Sequence, residues 1–177
     1  MFKKYIFDYA RKSKSISYGG LRTHSAIKGI VIHMTGNNGD TAKNNADFFA
    51  TGNQRQAGAH IFIDSKGLSA RTIPLNRVAW SVGNPKGAYA KGSYYSTLNN
   101  ANTVSIELCD IMEHGVSEAQ KETLIKVCAW LKKQCPKIEY VVRHYDIVKK
   151  QCPEYYIKNN SEWLKLRKEL MYTIEGV

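Results

Sequence analysis

Gly29–Met34, GIVIHM, is a short run of β-branched and apolar side chains, the pattern of a strand buried on both faces, and it carries a histidine near its end. A second run of the same kind, EYVVRH from Glu139 to His144, follows Pro136 and also closes on a histidine. Between them, Thr103–Cys109, TVSIELC, alternates: Val104, Ile106 and Leu108 share one face, while Ser105, Glu107 and Cys109 share the other. Glu107 therefore points away from the most apolar face of its strand.

Around these strands the sequence predicts helices. Ala42, Ala46, Phe49 and Ala50 recur at helical spacing within Thr41–Ala50, with Asp40 or Thr41 as N-cap. AHIFID and LSARTIP flank Asp64-Ser65-Lys66-Gly67, a hairpin signal. Ser117-Glu118-Ala119-Gln120 fits a capping box, and Leu124, Val127, Cys128, Leu131 and Cys135 follow along one helix face. A last helix over about Ser161–Tyr172 turns Trp163, Leu166 and Leu170 to the core. Alternating strands and helices imply an α/β fold, a single domain with a central mixed sheet flanked by helices. Residues 1–27 read as an irregular N-terminal arm packed on a domain of residues 28–177, with no separate second domain expected. Asn76–Asn102, rich in Gly, Asn, Ser and Tyr, reads as one long excursion of the kind that walls binding sites.

Composition bounds the rest. With 43% apolar and 23% charged residues the chain is that of an ordinary folded domain, and its length suffices for one core. The formal charge of +11 predicts attraction to a polyanion. Mild basic concentrations lie at Lys3, Lys4, Arg11, Lys12 and Lys14 and from Lys126 to Lys137. No apolar run has the length of a signal peptide or a membrane span, so no membrane partner is expected. The four cysteines lack a compact disulfide spacing. On one helix Cys128 and Cys135 stand roughly 10 Å apart, too far to bridge, so reduced thiols are expected.

Strand ends hold side chains rigidly, and His33 and His144 lie at two of them, with Cys152 eight residues beyond His144 in HYDIVKKQCP. Two imidazoles and a thiolate form a donor set for a zinc ion that keeps a fourth position open. His60 is the rival ligand, read as a structural or cleft-lining residue.

Five blocks, GIVIHMTGN, AGAHIFID, VAWSVG, NNANTVSIELC and VVRHYDIVKKQCP, occur in an order and at separations that resemble the type 2 N-acetylmuramoyl-L-alanine amidases, a family that includes phage endolysins and relatives of peptidoglycan recognition proteins. The resemblance implies one Zn²⁺ per chain on His33, His144 and Cys152. It also implies cleavage of the amide between N-acetylmuramic acid and L-alanine in bacterial peptidoglycan, as a bacteriolytic endolysin or autolysin does. Glu107 corresponds to the glutamate that serves endolysin members as base, and Lys150 to a lysine set beside the metal to hold the oxyanion. Asp146 would orient His144 or another ligand as a hydrogen-bond acceptor. Some branches carry a catalytic tyrosine before the histidine of the second strand. Here that residue is Ala59, which moves the proton transfer to Glu107. Asn37, His60, Trp80 and Tyr94, with Tyr95, are the expected substrate contacts. The protein would be made in the cytoplasm and reach the wall with a holin-type partner or on lysis, its basic surface adding affinity for anionic wall polymers. A non-catalytic binding module would lack the cysteine that Cys152 supplies, and a nucleic-acid-binding domain is disfavoured because no such motif is present.

Overall fold

A computed structural model describes residues 6–83 and 87–177 of the chain, so Lys3 and Lys4 lie outside the described residues. Eight strands run in chain order: β1 (Tyr9–Ala10), β2 (Tyr18–Leu21), β3 (Gly29–Met34), β4 (Ile61–Ile63), β5 (Ser69–Arg71), β6 (Arg77–Ala79), β7 (Thr103–Leu108) and β8 (Tyr140–Arg143). The helices are α1 (Ala42–Asp47), α2 (Glu118–Gln134), α3 (His144–Ile147), α4 (Glu154–Lys158) and α5 (Asn160–Glu175). Six strands form one mixed sheet in the order β1-β5-β4-β7-β3-β8, and β2 and β6 pair separately. All its pairings are parallel except the β4–β5 hairpin. The α/β reading therefore holds.

The two faces of the sheet do different work. Ile30, Ile32, Val104, Ile106, Ile61 and Ile63 pack with Leu124, Val127 and Leu131 of α2 and with Trp163, Leu166, Leu170 and Ile174 of α5. Each such side chain, fully withdrawn from water, contributes about 1.5–3 kcal/mol, so this face is the main source of stability. The opposite face carries two smaller clusters, one around Val31, Leu98 and Val142 and one around Phe62, Ala46 and Ala59. Period-two alternation puts His33 and Glu107 on this second face, between the two clusters.

Local sequence explains the boundaries. The Thr41 hydroxyl accepts from the Asn44 N–H and caps α1, after which Phe48–Gly52 widens into a π-turn. The Ser117 hydroxyl accepts from the Gln120 N–H as the capping box predicts. The Gln120 amide, however, reaches away from the cap. It is wholly buried, and its Nε2 donates to the carbonyls of Ile63 and Cys109, tying α2 to the ends of β4 and β7. The four cysteines are buried free thiols.

Three expectations change. The leading segment is not irregular throughout: β1 extends the main sheet alongside β5, and β2 pairs with β6. Strand β8 stops at Arg143, and His144 opens α3, because the Asp146 carboxylate accepts from the Arg143 N–H and turns the chain. The long excursion is also built in. Its described part hydrogen-bonds to the loop after β8 through Gly92 N–H to Ile147, Tyr94 N–H to Asp146 and Lys149 N–H to Ala90.

The β4–β5 turn offers a local test. Gly67 has φ +75°, and a Cβ there would lie 2.6 Å from the Ala119 carbonyl oxygen at the start of α2. Gly67→Ala is expected to lower unfolding free energy by about 1–3 kcal/mol through the left-handed backbone and this overlap. The urea midpoint checks it, and an unchanged midpoint would mean the turn relaxes freely.

Candidate metal centre and cleft

The parallel register of β3 and β7 makes His33 and Glu107 direct neighbours, and Glu107 is in turn the neighbour of Phe62 on β4. Strand β8 flanks β3 on its other side and delivers His144 at its end. The loop after α3 returns Cys152, whose Sγ accepts from the Met34 N–H at 3.4 Å. Donor atoms of His33, His144 and Cys152 all lie within 4.8 Å of one another, and all three side chains are buried. The His33 and His144 ring centroids are 4.7 Å apart.

Three features of the trio fit a metal. The Cys152 Sγ is 3.8 Å from His33 Nδ1, close to the roughly 3.5 Å between nitrogen and sulfur donors that share a tetrahedral zinc. Both ring nitrogens of His144 are buried without hydrogen-bond partners, a costly state that a cation bound at one of them would reduce. The donor types, imidazole and thiol, are those zinc selects.

The electrostatics of the chain alone agree. Burial, then the neighbouring His144, Lys150 and His60, hold His33 well below the ordinary imidazole range. Burial and then Lys150 bring His144 to about 3, so both rings stay neutral with a lone pair to offer. Burial pushes the Cys152 thiol up to about 12, with Glu107 adding to the shift. Glu107 rises to about 8, again by burial first, with Lys150 opposing. Its Oε1 stands 4.0 Å from His33 Nδ1, and its side chain keeps 21% exposure toward the cleft.

The cleft over this floor has a volume of about 590 Å³. His33, Cys152, Glu107 and Lys150 line its inner end, and Asn37 and Trp80 line it as expected. Lys150 is also separated from its neighbour by position, since Lys149 lies 4.2 Å from the Tyr145 ring centroid. The Trp80 ring lies over Gly19 of β2, so close that a Cβ there would overlap it, which fixes the ring as cleft wall.

Three of the expected substrate contacts, His60, Tyr94 and Tyr95, are not among the residues that line the cleft. His60 is completely buried: its Nδ1 accepts from the Ser105 N–H, Nε2 faces the Arg77 carbonyl, and the Arg22 guanidinium lies against the ring. Burial and Arg22 lower it to about 3, the signature of a neutral structural histidine joining β4, β6 and β7. Tyr94 packs edge-on to Tyr140 within the Val31 cluster. Tyr95 is exposed, with Lys91 over its ring. Asp146 does not orient His144. Its carboxylate accepts from the Arg143 backbone and guanidinium, which also donates to Tyr156 and Asn160. Phe48, Phe49, Asn44 and Arg55 line the cleft without having been anticipated. Phe49 fits the helical spacing of Thr41–Ala50, and no signal in the sequence announces the π-turn Phe48–Gly52 that carries it to the cleft.

The fold and the trio describe an α/β protein with a cluster of two imidazoles and a thiol that could hold one metal ion, beside a cleft. The profile of the type 2 N-acetylmuramoyl-L-alanine amidases matches residues 23–155, and the chain belongs to that family. It is 31% identical over 160 residues to the N-acetylmuramoyl-L-alanine amidase BlyA of Bacillus subtilis (strain 168), covering 85% of this chain and 42% of that protein. It is 29% identical over 153 residues to the N-acetylmuramoyl-L-alanine amidase CwlL of Bacillus licheniformis, covering 82% and 41%. The chain thus spans less than half the length of these relatives. Its fold is similar to that of the PlyG catalytic domain, with TM-score 0.73 at 19% identity over 95% of this chain and 96% of that one. Among the described residues no helix is long and apolar enough to cross a membrane.

Proposed function

We propose that the chain is a zinc-dependent N-acetylmuramoyl-L-alanine amidase that hydrolyses the amide joining the lactyl group of N-acetylmuramic acid to L-alanine in bacterial peptidoglycan. The observation that carries this reading is the convergence of His33, His144 and Cys152 at the floor of a cleft beside Glu107 and Lys150, in a chain of the amidase family. His33, His144 and Cys152 would hold the zinc, which would supply Lewis acidity for a carbonyl and lower the pKa of water toward about 7.

The residues of the chain do the rest. Glu107 accepts the proton of the attacking water and passes it to the departing alanine nitrogen, so the products are a lactyl carboxylate and a free amine. Its neighbourhood suits a group that must gain and lose a proton, since burial favours the neutral form and Lys150 the charged one. The Lys150 ammonium offsets the negative charge that develops on the carbonyl oxygen. Trp80, Phe48 and Phe49 give apolar walls, and Asn37 offers an amide to the stem peptide.

The test pairs metal analysis with chemistry. Purified protein is expected to hold about one zinc per chain and to release stem peptides from purified walls, with new amino termini that label as alanine. Chelation is expected to abolish release, and added zinc to restore it. New reducing sugar ends in place of alanine amines, or full activity without metal, would refute the reading.

A further inference from the structure

The net charge is not spread evenly along the chain. Residues 1–106 hold 14 Lys and Arg against four Asp and Glu, whereas residues 107–177 hold 12 against 11, so nearly all of the +11 belongs to the first part. That part supplies most of the cleft wall, including Asn37, Phe48, Phe49, Arg55 and Trp80. The second part forms α2 and α5, where charges are consumed locally. Lys121 pairs with Glu118 and Glu169, Lys126 with Glu122, and Lys132 donates to the Pro136 and Ile138 carbonyls. The basic concentration at Lys126–Lys137 is thus largely a solvated helix face.

The concentration at Arg11–Lys14 is different. Lys12 and Arg77 approach the same Tyr18 ring, at 5.8 and 5.7 Å from its centroid, and Lys43 lies 5.0 Å from the Tyr9 ring. Arg11 and Lys43 share the single carboxylate of Asp47, leaving one positive charge over. Among the described residues Lys12, Lys14 and Arg77 form no ion pair. The Tyr18 ring limits the rotamers of Lys12 and Arg77, while the Asp47 carboxylate holds Arg11 and the Thr51 carbonyl accepts from Lys14 Nζ, which together lower the entropy lost on binding. The row also ends at the cleft, because the Lys14 N–H donates to the carbonyl of Phe49 at the rim.

We propose that Arg11, Lys12, Lys14 and Arg77, held on Tyr18 and the edge of β1, form a binding strip for an anionic phosphodiester polymer of the cell wall, leading it past the cleft mouth. An extended row of cations matches a flexible chain with regularly spaced phosphates. The segment carries no recognised nucleic-acid-binding motif, and duplex DNA binding is one of the outcomes that the test separates. The choice of a wall polymer rests on the amidase reading.

Depletion binding to purified walls, before and after chemical removal of their phosphodiester polymers, tests the strip. Wild type is expected to bind intact walls more tightly than stripped ones by on the order of tenfold or more. Lys12→Gln/Lys14→Gln is expected to weaken binding to intact walls by on the order of tenfold and to leave binding to stripped walls unchanged. Lys133→Gln/Lys137→Gln, which removes the same charge from the end of α2, is expected to change it by less than about twofold. Hydrolysis of a soluble muramoyl-peptide is expected to be the same for all three proteins. If both pairs weaken binding equally, if stripping changes nothing, or if Lys12→Gln/Lys14→Gln weakens duplex DNA binding as much as wall binding, the strip is refuted. A wild type inert on the soluble substrate would refute the amidase reading instead, while the binding comparison still reports on the strip.

Discussion

Glu107→Gln is expected to lower kcat on purified walls by about 10²–10⁴-fold while zinc content stays near one per chain. The substitution keeps shape and volume, so β7 and its pairings with β3 and β4 persist. What it removes is the capacity to take a proton. Glu107 is the side chain on the polar face of β7 that reaches both the cleft and the trio, with Oε1 4.0 Å from His33 Nδ1 and Oε2 buried without a partner. A carboxylate raised to about 8 by burial is costly to the apo fold when ionised, so the amide variant is expected to be no less stable than wild type. Loss of activity with retained stability and retained zinc separates a proton-transfer role from a structural one. Near-normal turnover would remove Glu107 from the chemistry, and loss of zinc would mean that the carboxylate holds the site together.

How far the sequence reveals such a site depends on what each residue's position requires. His33 and Glu107 were readable because strand alternation is local: two residues per period assign a face without knowledge of strand order. Their adjacency was not, since it needs β3 beside β7 in register, and pairing order is a property of the whole sheet. His60 illustrates the same limit. Its block left a structural and a cleft-lining role open, and the choice depends on Ser105, Arg77 and Arg22, which meet the buried ring from distant segments. Arg22 donates to the carbonyls of Leu75, Asn100 and Thr103 from a segment that carries no regular pattern, and such a clamp has no periodicity to betray it. The helices were the most legible elements, because caps and apolar stripes are local. Even so, Gln120 was misassigned within a correctly read α2, since the carbonyls of Ile63 and Cys109 that claim its amide come from distant strands.

Cys152→Ala is expected to weaken zinc binding by roughly 100-fold or more and to abolish wall hydrolysis at trace metal. The size follows from the donor set. Among the described residues three protein donors converge, and the thiol is the one that ligates as an anion, so its loss removes both a bond and a charge. Without metal the same group contributes little. Burial pushes the thiol up to about 12 and keeps it neutral, and its hydrogen-bond contacts are long, 3.4 Å from the Met34 N–H and 3.8 Å to His33 Nδ1. The apo forms of wild type and variant are therefore expected to melt within a few degrees of each other, and the difference to appear on adding zinc. Wild type gains about 4 kcal/mol when free zinc exceeds Kd a thousandfold, and the variant gains little at the same concentration. Proton release adds a second readout. A thiol that is neutral at pH 7 must give up its proton to bind zinc, so calorimetry in buffers of different ionisation enthalpy is expected to find about one proton released per zinc in wild type and none in the variant. Equal zinc-induced stabilisation in both proteins would place the metal elsewhere, and with it the chemistry assigned to the cleft floor.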